Sequence, residues 1–127
     1  MNKVIIGVGS NIDPEQNIAT AKEKIARQHK LIAESPLRWT EPMGDMIQPR
    51  FLNGALVIET QCGREELDAQ LKQIESDLGR DHTKKDFGPR TIDLDIVVWN
   101  ESIVHNDFYR RDFLKKSVLG LQPNLKE

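Results

Sequence analysis

The chain of 127 residues carries 18 Lys and Arg against 20 Asp and Glu, a formal net charge of −2, with 38% hydrophobic and 30% charged residues. That balance excludes a disordered chain and gives no electrostatic case for binding long nucleic acid, so an anionic ligand must be drawn by local basic clusters. Cys62 is the only cysteine and no apolar run approaches a bilayer span, so the expectation is one domain over residues 1–127, a monomer in a reducing cytoplasm with no membrane partner.

Val4 to Val8 reads as a buried strand closed by the turn Gly9-Ser10-Asn11. Asp13 as N-cap, Pro14 at the first helical position and Gln16 three residues on mark a helix start. Ile18, Ala21 and Ile25 put an apolar stripe on that helix, which runs to about His29. A second strand is predicted over Leu31 to Trp39. The segment from Thr40 to Arg50, with Pro42, Gly44 and Pro49, reads as a loop long enough to suggest a binding role. Phe51 to Thr60 returns to strand, and Leu67, Leu71, Ile74 and Leu78 define a second helix that Gly79 ends. A further long loop, Gly79 to Pro89, precedes a strand through Ile92 to Val98, and a short helix is predicted around Phe113 to Leu121. The order β-α-β-β-α-β predicts an α+β fold of ferredoxin-like type. Its four-stranded antiparallel sheet would carry both helices on one face and leave the other open, with the first and last strands at or near the edges.

The strand after the second loop carries the most chemistry. Alternation places Ile92, Leu94, Ile96 and Val98 on one face and Thr91, Asp93, Asp95 and Val97 on the other. Asp93 and Asp95 then project side by side, their Cα atoms roughly 6.5 Å apart. Such a pair suits a hard cation that also takes phosphate oxygens, but it equally suits a half-exposed strand with two acids on its wet face. The preceding loop supplies Arg80, His82, Lys84, Lys85 and Arg90, which fit either a polyphosphate–metal complex or a solvated charged loop. There is no Walker loop, and Gly7-Val8-Gly9-Ser10 matches only a fragment of a dinucleotide fingerprint. His29, His82 and His105 lack zinc spacing, and no Ser or Cys sits in a nucleophile elbow. Phe51 and Phe113 fit a core or a pocket, and Asn53, two residues from Phe51 on the same strand face, favours the pocket.

Asp86-Phe87-Gly88-Pro89-Arg90-Thr91-Ile92-Asp93-Leu94-Asp95-Ile96-Val97 resembles the signature of the 6-hydroxymethyl-7,8-dihydropterin pyrophosphokinases of folate biosynthesis. Gly9-Ser10-Asn11, Thr40 to Gly44, Phe51-Leu52-Asn53, Glu75 through Arg80 and Arg111-Asp112-Phe113-Leu114 agree in the same order. The resemblance implies Mg²⁺-dependent transfer of pyrophosphate from ATP to the pterin hydroxymethyl group, with AMP released. It implies two Mg²⁺ ions on Asp93 and Asp95, and catalytic roles for Arg80, Arg90 and Asp95. Pterin contacts would come from Thr40, Pro42, Met43, Phe51, Asn53 and Phe113. ATP contacts would come from Arg80, Lys84, Lys85, Arg90, Ile96, His105 and Arg111, and Glu75 would support the site from behind. The chain departs from the family pattern at Glu41, where a proline is frequent, in the Leu-Lys-Lys-Ser run after Phe113, and in a shortened segment between Asp95 and Arg111. Those departures keep two other readings open: a related kinase-like protein for a different hydroxymethyl substrate, and a non-catalytic binding module of the same fold.

Overall fold

A computed structural model describes residues 1–42, 44, 47–80 and 91–127. The elements run β1 (Asn2–Ser10), α1 (Pro14–Gln28), β2 (Lys30–Glu34), β3 (Arg38–Thr40), β4 (Phe51–Thr60), α2 (Arg64–Asp77), β5 (Asp93–Trp99), β6 (Ser102–Ile103), α3 (Asp107–Arg110) and α4 (Asp112–Leu121). All described strand pairings are antiparallel and join one sheet in the order β2-β4-β1-β5-β6, with β3 also on β4. The expected four strands are therefore six among the described residues. No helix among those residues is long and apolar enough to cross a membrane.

β1 lies at the centre of the sheet rather than at an edge, paired with β4 on one side and β5 on the other. Its apolar run has no polar alternation because both faces are covered, and every residue from Val4 to Ser10 is buried. The single strand expected over Leu31 to Trp39 is broken into β2 and β3. Pro36 has no N–H to give a ladder, and Ser35 ends β2 by bonding Ala55 twice: its N–H donates to Ala55 O, and its Oγ accepts the Ala55 N–H, both at 2.9 Å. β3 then resumes on the same edge of β4. Asp13 does occupy the N-cap of α1 with Pro14 following, but its side chain makes no capping bond and its backbone is left-handed at φ 40°.

Two cores sandwich the sheet. On one face Val4, Ile6, Val8, Leu52, Leu56, Ile58, Leu94 and Ile96 pack against Ile18, Ala21 and Ile25 of α1 and Leu67, Leu71 and Ile74 of α2. The other face is not left open. Ile5, Ala55, Val57, Val97 and Val98 are covered by Phe108, Leu114, Val118 and Leu125 of the C-terminal segment. A register shift opposite Ile5 and Ile6 puts Ile6 across from Ile96 and Ile5 across from Val98, so Val97 is the extra residue. This bulge turns Val98 to the same face as Val97, whereas simple alternation places it with Leu94 and Ile96. The C-terminal helices cover only part of the second face and leave the Asp93 and Asp95 end as a cleft.

Among the described residues the outer side of β5 at Leu94 has no strand partner, since β6 pairs with Val98 and Trp99. A side chain closes it instead. Glu75 of α2, fully buried, accepts the Leu94 N–H at 2.7 Å, and Lys72 donates to Leu94 O at 3.2 Å. Gly79, at φ 91°, stops α2 with two bonds of a Schellman motif, Gly79 N–H to Ser76 O and Arg80 N–H to Glu75 O, both 3.0 Å. That turn delivers the Arg80 side chain back onto Glu75 Oε2 at 3.2 Å. Removing a buried carboxylate with this many charged partners leaves Arg80 and Lys72 undercompensated. Glu75→Ala is expected to destabilise the fold by about 3 kcal/mol in urea titrations, and Glu75→Gln, which keeps the shape but not the charge, by less.

Candidate active site

An open-mouthed cleft lies on the partly covered face, lined by Gly7, Gly9, Asn53, Asp93, Asp95, His105, Asp107, Arg111 and Phe113 among others. Its floor is the backbone of β1, with Gly9 opposite Asp93 and Gly7 opposite Asp95. Gly9 is required by close approach, because a Cβ there would stand 2.6 Å from Asn53 Oδ1. Asn53 is held in turn by its amide, which donates to Thr40 Oγ1 at 2.6 Å across the β3–β4 pair. Asn53 therefore presents its carboxamide over the glycine floor in one orientation.

Each acid is met by a cation from the strand edge. Arg80 donates to Asp93 Oδ1 at 2.7 Å, and Lys72 Nζ lies 3.5 Å from Asp95 Oδ1. Burial and the charge of Asp93 push the Asp95 carboxyl above its ordinary pKa, against the opposing pull of Lys72 and His105. For Lys72 and Arg80, burial acts to lower the pKa. The acids outweigh it, Asp95, Glu75 and Asp93 at Lys72 and Asp93 with Glu75 at Arg80, so both are held above their ordinary values. Among the described residues no third His, Cys, Asp or Glu completes a metal-holding group with the pair.

The segment after Asp95 completes the opposite wall. It folds as β6 and α3, neither foreseen from the sequence, and their compact turn brings His105, Asp107 and Arg111 to the cleft. The Asp107 N–H donates to His105 Nδ1 at 3.1 Å, which leaves the ring proton on Nε2, facing Asp95 Oδ1 at 3.8 Å. Arg111 Nε is buried 3.5 Å from Asp107 Oδ2 without a hydrogen bond. A second groove, of about 550 Å³, runs outside β5 and is lined by Arg64, Glu65, Asp68, Asp95, Ile96, Val104 and His105. Asp95 and His105 thus stand in a wall shared by two cavities.

Of the residues singled out in the sequence, Asn53, Asp93, Asp95, His105, Arg111 and Phe113 line the first cleft. Thr40 reaches it through Asn53 and Arg80 through Asp93. Ile96 is 7% exposed and points into the α1/α2 core, bordering only the outer groove. Phe51 begins β4 two residues from Asn53 but is not in the cleft lining, and neither is Pro42. Met43, Lys84, Lys85 and Arg90 lie outside the described residues. Glu75 stands behind the acids, as expected, held by Arg80 and Lys72, but sequence reasoning missed Lys72 altogether. The available signal was a carboxylate on the apolar stripe, since Glu75 stands four residues after Leu71.

Because ionised Asp95 is held against both burial and Asp93, neutralising it should stabilise the metal-free fold. In the folded state its pKa is raised, so its ionisation costs stability as pH rises above the unfolded carboxylate value, and the cost is absent below that value. Asp95→Asn is expected to raise the melting temperature at pH 7 in a chelator by a few degrees, with the gain vanishing near pH 3.

A family model described as 7,8-dihydro-6-hydroxymethylpterin-pyrophosphokinase (HPPK) matches residues 5–123. A 2-amino-4-hydroxy-6-hydroxymethyldihydropteridine pyrophosphokinase of Pseudomonas aeruginosa is 31% identical over 137 residues, covering 99% of this chain and 84% of that protein. The protein of the same name in Aquifex aeolicus is 30% identical, covering 98% of this chain and 83% of its own length. The folic acid synthesis protein fol1 of Schizosaccharomyces pombe is 36% identical across 98% of this chain, which spans only 18% of that longer protein.

Proposed function

The chain belongs to the 7,8-dihydro-6-hydroxymethylpterin pyrophosphokinase family, and from that premise we propose that it transfers the pyrophosphoryl group of ATP to the hydroxymethyl oxygen of 6-hydroxymethyl-7,8-dihydropterin, releasing AMP in folate biosynthesis. The observation that carries this reading is the pair of cavities that meet at Asp95 and His105. A two-substrate transfer needs donor and acceptor held on either side of one reacting position. In this reading the β2-β4-β1-β5 part of the sheet, with α1 and α2 on one face, is a ferredoxin-like core to which β3, β6 and the C-terminal helices are added.

The inner cleft suits the pterin. Asn53, oriented by Thr40, meets the hydrogen-bonding edge of the ring, the glycine floor leaves room for its plane, and Phe113 flanks it. Phe51, Pro42 and Met43 complete this contact by the resemblance of their positions. The outer groove suits the nucleotide, with Ile96 and His105 along it. Arg80 and Arg111 face the phosphates, and Arg90, Lys84 and Lys85 join them by position in the signature.

Asp93 and Asp95 fit Mg²⁺. They are hard oxygen donors on one strand face, and Asp95 is held above its ordinary pKa by burial and by the charge of Asp93, which a cation would offset. Two carboxylates leave most of an octahedral shell to phosphate and water, in keeping with two ions bound together with ATP. When bound, Mg²⁺ supplies the positive charge that offsets the polyphosphate and polarises the phosphorus under attack.

The hydroxymethyl oxygen attacks the β-phosphorus, the new C–O–P bond forms, and the bridge oxygen to the α-phosphorus departs with AMP. The hydroxyl proton passes to the Asp95 carboxylate, the acid in the shared wall. Arg80 and Arg111 hold charge that shifts toward the leaving AMP.

Purified protein incubated with Mg²⁺, ATP and the pterin is expected to release AMP, and Asp95→Ala to lower turnover by about a thousandfold with the fold retained. An absence of AMP from folded wild-type protein would overturn the reading. Gly9→Ala, which displaces Asn53, should weaken pterin binding about tenfold in fluorescence titrations and leave the affinity for an ATP analogue unchanged.

A further inference from the structure

Lys72 sits on α2 three residues before Glu75, on the side of the helix that closes the free edge of β5. Its ammonium reaches three acceptors at once: Leu94 O at 3.2 Å, Glu75 Oε2 at 3.5 Å and Asp95 Oδ1 at 3.5 Å. It donates hydrogen bonds to Leu94 O and Glu75 Oε2 and makes an ion pair with Asp95. Two of the acceptors belong to the edge closure. The third belongs to the cleft, and Lys72 is the bridge between them. Arg80 does the same for Asp93, so both carboxylates of the pair already face a cation supplied by the chain.

We propose that Lys72 is a positioning residue that acts as an internal counter-ion, occupying Asp95 in the nucleotide-free protein and holding down the affinity of the acid pair for a bare divalent cation. The inference rests on reading Asp93 and Asp95 as cation ligands. A divalent ion approaching Asp95 meets a fixed positive charge beside the same oxygen, and the two cannot share it without repulsion. A triphosphate in the outer groove brings the negative charge that outweighs Lys72 and makes the ion's arrival favourable. Lys72 keeps Leu94 O and Glu75 when it yields Asp95, so it remains tethered at the edge of the groove. Cation and nucleotide then bind together, and the acids are not loaded by the ion alone.

The alternative is that Lys72 only staples the edge of β5. The two roles separate in a measurement that involves no turnover. Mn²⁺ is titrated into nucleotide-free wild type, Lys72→Met and Lys72→Arg, with free ion counted by electron paramagnetic resonance. Lys72→Met is expected to bind Mn²⁺ about tenfold more tightly than wild type, Lys72→Arg to stay within about twofold of it, and Lys72→Met/Asp95→Asn to lose the gain. Thermal melts establish that each variant is folded, and Lys72→Gln replaces Lys72→Met if the latter is not. Equal or weaker Mn²⁺ binding by the neutral variant, or an equal gain in Lys72→Arg, would overturn the proposal. A titration in the presence of a non-hydrolysable ATP analogue keeps the two readings apart. Mn²⁺ bound there by wild type but not by Asp95→Asn upholds the ligand role of Asp95 even where the Lys72 proposal fails.

Discussion

The structure turns on a carboxylate that never reaches the cleft. Glu75 is fully buried where α2 meets the outer edge of β5, and it accepts the Leu94 N–H while standing within ion-pair distance of Lys72 and Arg80. A buried charge is tolerable only when its partners are close and well directed. Here those partners are also the cations that reach Asp93 and Asp95. One interaction therefore closes an exposed sheet edge and fixes the two positive groups beside the acids. Lys72 and Arg80 are anchored by the fold at Glu75, which holds each of them beside its acid.

Asp95 is held against its own preference. Burial raises its carboxyl, and Asp93 at the adjacent same-face position of the strand adds to the cost. Such local tension is tolerated at functional sites because the surrounding packing over-determines it. The surroundings are well suited to that. β1 runs buried through the middle of the sheet, and both of its faces are packed by separate hydrophobic cores. The β5 bulge gives Val97 and Val98 to the same core and sets the strand against the C-terminal helices just beyond the acids.

The compact segment between β5 and α4 shows how few residues the second wall requires. A two-residue strand and one helical turn place His105, Asp107 and Arg111 within one connected set of contacts. The Asp107 backbone sets the His105 tautomer, and its carboxylate lies beside Arg111. The segment thus takes a short route back to the same face of the sheet.

Much of this was legible in the residues. The stripe of Ile18, Ala21 and Ile25, the stop at Gly79, the strand from Phe51 to Thr60 and the juxtaposed Asp93 and Asp95 follow from periodicity and backbone chemistry, which act over a few neighbouring positions. Asn53, His105, Arg111 and Phe113 were singled out from a signature spread along the chain, and they do converge on one cleft. The central place of β1, the break at Pro36, the bulge at Val97, the cover over the second face and the work of Lys72 and Glu75 were not legible in the same way. Each depends on which strand or helix arrives alongside. A lysine and a glutamate three apart on a helix read as a solvated pair until the edge of β5 is laid against them. The sequence alone determined which groups carry the chemistry, because side-chain type and local spacing are its own. The tertiary structure decided which of those groups are buried, paired and opposed, because burial and charge contact are properties of neighbours that are distant in the chain.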